Sequence, residues 1–218
     1  MHPLPAAYRA WRSYRGTGLR TRAFLAARLA ALPLRPLARE FGELHGRVLS
    51  VGSGYGLNER WLAELNPGVT VEGSDVDEER VAMAAASEHR SPRVRLRLLD
   101  VRELDERNVF DAAVAIDVLH HVPSADHEGI TRALAGAVKP GGVVLVKDIA
   151  HTPRWQHAFN ALHDRIVSAE ATTFSREPEQ MAALFEGAGF RTERCYRVAP
   201  LSPYPHFILR LRRAPPSE

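Results

Sequence analysis

The run Val48-Leu49-Ser50-Val51-Gly52-Ser53-Gly54-Tyr55-Gly56 constrains this chain more than any other stretch. A short apolar strand leads directly into glycines at every second position, and a helical pattern at 58–65 follows without a linker. A strand that turns on glycine into a helix is a unit of α/β architecture. Glycine lets the backbone pass close to a ligand, and the helix N-terminus favours an anionic group there.

The downstream sequence repeats this alternation. Short β-branched runs at 47–51, 69–73, 94–99, 111–116 and 142–147 alternate with helical patterns at 58–65, 78–87 and 125–137, the signature of βαβ units on a parallel sheet. The last of these strands follows a turn signal, Lys139-Pro140-Gly141-Gly142. Trp155, Phe159, Leu162 and Ile166 then mark an amphipathic helix, 178–186 marks another that stops at Gly187 and Gly189, and 191–198 and 206–212 read as closing strands. The sum is a doubly wound, seven-stranded, mostly parallel sheet in one domain, 45–218, with a helical insertion at 149–175.

Residues 1–44 read as an N-terminal helical lid. Tyr8, Trp11 and Tyr14 recur at helical spacing, as do Leu25, Leu29 and Leu32, on either side of Gly16-Thr17-Gly18, and Pro33 and Pro36 are expected to end the second helix. The first 39 residues hold eight arginines and no acid, whereas the whole chain is only +3. Such a charge is usually the solvated side of a helix; it also suits an acidic acceptor or an acidic carrier protein. A lid of this kind is expected to be removable with cofactor binding largely intact.

Composition narrows the class. Hydrophobic residues at 45% and charged residues at 25% describe a globular chain rather than a disordered one. Cys195 is alone, so neither an internal disulfide nor a cysteine-based zinc site is available, and a reducing, cytoplasmic setting is expected. No apolar run approaches the ~18 residues of a membrane span. No metal site is expected: His151, His157 and His163 are six apart, and the adjacent His120 and His121 diverge.

The acids point to a nucleoside crevice. Asp75 closes the second strand, where a carboxylate accepts hydrogen bonds from ribose hydroxyls; Asp100 closes the third, where it or the Val101 backbone meets an adenine. The plainer reading is two acids that cap helices. A nicotinamide dinucleotide is the competing ligand and Asp75 suits it equally, but its G-x-G-x-x-G fingerprint needs the third glycine one place later than Gly56.

The stretches 48–56, Val71-Glu72-Gly73-Ser74-Asp75, Leu98-Leu99-Asp100-Val101, Asp117-Val118-Leu119-His120-His121-Val122-Pro123 and Val138-Lys139-Pro140-Gly141-Gly142 together resemble the class I S-adenosylmethionine-dependent methyltransferases, in the branch of quinone and phosphoethanolamine methyltransferases. The resemblance spans about 45–212. It implies S-adenosyl-L-methionine as cofactor, with Ser50, Gly52, Ser53 and Gly54 at its methionine end, Asp75 and Val76 at the ribose, Asp100 and Val101 at the adenine, and Asp117 alongside. The family usually opens its glycine motif with an acid; here that position is Ser50.

By the same resemblance His121, four residues after Asp117, matches a histidine described as catalytic, with a tyrosine of the N-terminal helices as partner: Tyr14 first, Tyr8 second. His120 is the neighbouring alternative, and the paired imidazoles also suit packing or helix capping. Asp148 and His163 suit ordinary capping. Trp11, Trp155 and Phe159 are candidates for a substrate pocket, with core packing the commoner use, favoured for Phe159. The expected activity is O-methylation of a small apolar or aromatic metabolite. The alternatives are an NAD-dependent oxidoreductase and a non-catalytic S-adenosylmethionine-binding accessory protein. Nucleic acid is not expected as substrate, because the positive charge lies in one arm rather than across a surface.

Overall fold

The computed structural model describes residues 2–86, 92–153, 155–156, 174–198 and 204–215. Three helices open the chain: α1 (Pro3–Arg12), α2 (Leu19–Ala31) and α3 (Leu34–Gly42). The alternating part follows as β1 (Gly46–Val51), α4 (Leu57–Leu65), β2 (Val69–Asp75), α5 (Glu78–Ala86), β3 (Val94–Leu98), β4 (Phe110–Ile116), α6 (His127–Ala137) and β5 (Val138–Ile149). Then come α7 (Pro178–Gly187), β6 (Phe190–Arg197) and β7 (His206–Arg213).

The strands form one sheet in the order β3-β2-β1-β4-β5-β7-β6. The first five run parallel, and β7 pairs antiparallel with both β5 and β6. From β1 the chain winds outward to β2 and β3, then returns to lay β4 on the other side of β1. This reversal leaves a crevice beyond the carboxyl ends of β1 and β4, where open α/β sheets bind ligands.

Successive strand residues point to opposite faces. Val48 therefore joins a core layer with Trp61 and Leu62 of α4, while Leu49 joins another with Leu134 of α6 and Phe185 of α7. Ala6, Ala10, Tyr14, Leu25, Leu37 and Phe41 belong to the same layer as Val48, and α1 packs along α4. The N-terminal helices thus cover one face of the sheet. Removing residues 1–39 would uncover Trp61 and Leu62, so the expectation of a removable lid does not survive this packing.

Two local departures from the expected elements have backbone explanations. α2 does end before Pro33, but a further helix that the sequence did not show follows at once: Pro33 is the N-cap of α3 and Pro36 lies in its first turn, where the missing N–H has no helical partner to lose. The turn expected at 139–142 is instead a bulge within β5, where register against β4 jumps from Phe110↔Val138 to Ala112↔Val143 and Gly141 adopts φ +77°. Most of the expected 149–175 insertion, including His157, Phe159 and His163, lies outside the described residues. No described helix is long and apolar enough to cross a membrane.

Candidate active site

A cavity of about 630 Å³ opens at the crevice, within the usual range for small-molecule sites. The glycine turn forms its floor. Gly52 and Gly54 have φ of +63° and +51°, a region that costs a side-chain residue ~1 kcal/mol or more. A Cβ on Gly52 would lie 2.6 Å from both methyls of Val118, whereas one on Gly54 meets nothing nearer than 3.9 Å. Gly52 therefore lets the turn approach the loop after β4, and Gly54 keeps the cavity floor open.

Hydrogen bonds hold the turn. Ser53 N–H donates to the Ser74 carbonyl at 3.0 Å, Gly56 N–H to the Ser53 carbonyl at 2.8 Å, and the Tyr14 hydroxyl to the Tyr55 carbonyl at 2.5 Å. Phe24 of α2 meets Tyr55 edge-on from above, ring centroids 5.7 Å apart. Ser53 lines the cavity, but its hydroxyl is buried toward Gly73 of β2 and has no partner among the described residues.

Asp75 ends β2 at the cavity wall. Its Oδ2 accepts Gly54 N–H at 2.6 Å and its Oδ1 accepts Asp77 N–H at 2.9 Å. A carboxylate offers about four lone-pair sites, so two remain for a ligand's hydroxyls. Val76 also lines the cavity, as do Asp100 and Val101. The Asp100 carboxylate, however, caps the turn after β3 by accepting Arg102 N–H and is gripped by the Arg102 guanidinium, closest at 2.6 Å. That engagement holds the Asp100 carboxyl below its usual range, and it leaves Val101 as the freer backbone neighbour.

Asp117 sits where β4 ends, in a left-handed conformation (φ +55°) that is uncommon for a non-glycine residue. Its N–H donates to the Lys147 carbonyl at 2.8 Å and its carboxylate receives the Lys147 ammonium. Burial alone would raise the Asp117 carboxyl; the Lys147 charge overrides it and holds the group well below the usual range, while burial pulls Lys147 down. His206 nearby is pushed down to about 3 by burial and by Lys147, so it is neutral, and its Nε2 donates to the Ala31 carbonyl at 3.0 Å. Ligand atoms of Asp117, His120 and Asp148 come within 4.8 Å of one another, a grouping that sequence spacing does not show. The cation on Asp117 is Lys147.

The expected histidines separate in role. His121 lines the cavity. His120 is buried, donates from Nδ1 to the Asp148 carboxylate and places its ring centroid 3.9 Å from that of His121. As a candidate catalytic residue His120 is corrected to a support behind His121, because it lies off the cavity wall with its imidazole held by Asp148.

Tyr14 is corrected likewise: it is fully buried, does not line the cavity, and its hydroxyl is spent on the glycine turn. Tyr8 and Trp155 are exposed and away from the cavity, and Trp11 N–H donates to the Arg22 carbonyl instead of facing it.

Ser50 also lies beneath the turn rather than on the cavity wall. Its hydroxyl donates at 2.5 Å to Glu59, a buried residue of α4 whose other carboxylate oxygen has no partner among the described residues. A carboxylate therefore does stand under the turn, carried nine positions downstream by helical geometry. Its sequence signal was an acid in the first turn of α4, on the helix face that also carries buried Leu62.

Burial pushes Glu59 up to about 7, against the Ser50 hydrogen bond. The folded state then holds this proton more tightly than the unfolded chain does, so the contribution to stability is complete below about 4.5 and is lost as pH rises to about 7. Glu59→Gln keeps the acceptor for Ser50 and removes the titration. Above pH 7 it is expected to melt several degrees higher than the parent, a gain of about 3 kcal/mol, with little difference at pH 4.5. Melts of both proteins from pH 4.5 to 8.5 check this, and parallel curves would contradict it. His206 contributes with the opposite sign, present above 6.5 and lost as pH falls toward 3, so the difference between the two proteins isolates Glu59.

Comparison with known proteins decides the family. The family described as a methyltransferase domain matches residues 20–194. This chain belongs to the S-adenosylmethionine-dependent methyltransferases. Among curated relatives it is 36% identical over 110 residues to a protein of Xanthomonas campestris pv. campestris named ubiquinone biosynthesis O-methyltransferase, covering 49% of this chain and 44% of the relative. It is 33% identical over 117 residues to the same-named protein of Bordetella avium, covering 52% and 47%. The chain thus spans about half the length of the curated relatives it matches.

Solved structures share the fold. An S-adenosylmethionine-dependent methyltransferase from Mesorhizobium loti superposes with a TM-score of 0.64 at 19% identity, over 82% of this chain and 96% of that one. A 1,6-didemethyltoxoflavin-N1-methyltransferase from Burkholderia thailandensis, solved with its substrate and S-adenosylhomocysteine, gives 0.59 at 20% identity, over 83% and 78%. The [4+2]-cyclase SpnF gives 0.64 at 20% identity, over 82% and 79%.

The residues present suit the family's cofactor. Asp75 keeps acceptor sites for ribose hydroxyls, and Gly54 leaves the floor clear of any side chain where the amino-acid end would pass.

Proposed function

We propose that this chain transfers a methyl group from S-adenosylmethionine to a hydroxyl oxygen of a small apolar or aromatic molecule. The observation that carries it is Asp75, tied to the glycine turn through Gly54 yet still open to the cavity, in a chain whose family is methyltransferase. The oxygen acceptor rests on the curated relatives, which are named O-methyltransferases. Since the fold is shared with a cyclase, the chemistry has to come from the site rather than the fold.

Bound S-adenosylmethionine supplies a methyl group already activated by its sulfonium, so the protein's work is alignment and exclusion of water. Asp75 orients the ribose and the glycine turn accommodates the amino-acid end. Asp117 is locked in place by Lys147 beneath the centre of the site. His121 accepts the hydroxyl proton of the acceptor as the oxygen attacks. Phe24 and Leu25 of α2 line the cavity and keep water from the reacting oxygen. On this reading residues 45–218 hold the cofactor and 1–44 close the acceptor side.

Calorimetric titration with S-adenosylmethionine, S-adenosylhomocysteine and NAD tests the cofactor, and transfer of labelled methyl to a panel of phenols, catechols and amines tests the acceptor. Binding of the first two ligands and labelling of phenolic oxygen are expected. Binding of NAD alone would overturn the reading in favour of an oxidoreductase, and cofactor binding without transfer to any acceptor would favour an accessory role.

A further inference from the structure

The outer side of the first two helices carries side chains that the core does not use. α1 turns Ala6, Ala7 and Ala10 inward, with Tyr14 just beyond it. At helical spacing Leu4, Tyr8 and Arg12 then fall on the opposite side, with half-buried Trp11 at its border. Leu4 is 56% exposed, Tyr8 53%, and Leu19, the first residue of α2, 80%. The other large apolar side chains as exposed among the described residues are scattered: Val76 at the cavity, Leu98 on the edge strand β3, and Trp155.

The side chains of the two helices adjoin. The Tyr8 and Trp11 rings are 6.0 Å apart, the Arg22 guanidinium lies over the Trp11 ring at 4.8 Å, and Trp11 Nε1 donates to the Arg22 carbonyl at 3.0 Å. Leu19 stands one turn before Arg22. A single exposed leucine is ordinary surface. Here leucines and aromatic rings continue from α1 to α2 across the Trp11–Arg22 contact, which is the pattern of an interaction site.

The charge around them has one sign. Arg12, Arg15 and Arg20 are exposed, and none of the three makes an ion pair among the described residues. Arg9, on the flank, is met by Glu64 of α4 at 2.7 Å. The first 39 residues contain no acid. The partner that complements this face is therefore anionic.

A folded protein partner needs a shaped and closely packed contact. The cavity lies elsewhere, at the crevice, and Leu4, Tyr8, Trp11 and Leu19 do not line it. A lipid surface needs no such fit, because leucines and aromatic rings enter the boundary between headgroups and acyl chains while arginines reach the phosphates.

We propose that the outer face of α1 and the start of α2 docks on an anionic lipid bilayer. The next turn of α2 carries Phe24 and Leu25, which line the cavity, so the docked face lies about one helical turn from the site. The arginine-rich start of the chain then has a task beyond solvation, and it is independent of which acceptor is methylated.

The test sediments the full chain with vesicles of phosphatidylcholine alone and with vesicles containing about a quarter phosphatidylglycerol, in about 0.1 M salt. The parent is expected to bind the anionic vesicles about a hundredfold more tightly, roughly fivefold for each of the three unpaired arginines. Replacing Arg12, Arg15 and Arg20 together by Gln is expected to remove that preference. Leu4→Ser combined with Leu19→Ser is expected to weaken binding to the anionic vesicles by about tenfold or more. All five positions are exposed, so melting temperatures are expected to stay with the parent's, and Trp155→Ser is expected to bind as the parent does.

Equal binding of the parent to both vesicles, or to neither, overturns the proposal. Undiminished binding after loss of Leu4 and Leu19 would mark plain adsorption of a cationic segment, which an acidic protein or a nucleic acid would draw equally, and also overturns it. So does a loss of binding in Trp155→Ser equal to that of the leucine pair, which would place the contact on another face.

Discussion

Asp75→Ala is expected to weaken S-adenosylhomocysteine binding by two to three orders of magnitude, roughly the loss of two charge-assisted hydrogen bonds to ribose hydroxyls. The structure makes the effect larger than a lost ligand contact alone. The same carboxylate accepts Gly54 N–H at 2.6 Å and Asp77 N–H at 2.9 Å, so its removal also frees the floor of the cavity and the start of α5. Asp75→Asn keeps one acceptor oxygen and is expected to fall between the two. Calorimetry gives the affinities and circular dichroism confirms that the fold is retained. A change of less than about threefold in Asp75→Ala would place the ribose elsewhere.

His121→Ala is expected to keep that affinity and lose turnover by about a hundredfold or more, the usual weight of a positioned general base. Its position explains why the two effects separate. His121 follows the strand end that carries Asp117, its N–H donates to the Val118 carbonyl at 2.9 Å, and its ring rests against that of His120, itself fixed by Asp148. The imidazole is thus oriented from behind while Asp75 and Val101 hold other parts of the cavity. Measuring kcat and the S-adenosylhomocysteine affinity in parallel checks this. Full turnover in the variant would remove His121 from proton transfer and leave alignment as the whole of catalysis.

Much of the scaffold was legible in the amino-acid order because its signals are local. The central strands β1 and β4 are short runs buried on both faces, and each helix repeats its apolar residues at three to four positions, so strand and helix alternate visibly from Gly46 to Ile149. The acid at the end of β2 was legible for the same reason: the strand's period ends at Asp75. Pro33 and Pro36 marked the end of α2 correctly but hid the start of α3, because proline in a first turn obeys a different rule from proline in a helix interior.

The site was legible only where one element supplied it. Gly52, Gly54 and Asp75 lie at predicted strand ends, and the structure puts Gly54 and Asp75 in hydrogen-bond contact. Ser50 and Tyr14 were expected at the ligand and are found beneath and behind the turn, because a strand residue's face and a helix residue's depth depend on what packs against them. Glu59, which answers Ser50, carried no motif at all.

Periodicity, glycine and the acids at strand ends therefore determined an α/β sheet with a nucleoside crevice before any coordinate was known, since backbone sterics and burial act over a few residues. The pairing of Asp117 with Lys147 and of His120 with Asp148 came from the fold alone. Those partners are joined by strand order and helix packing, and long-range contacts of that kind leave no local trace in the chain.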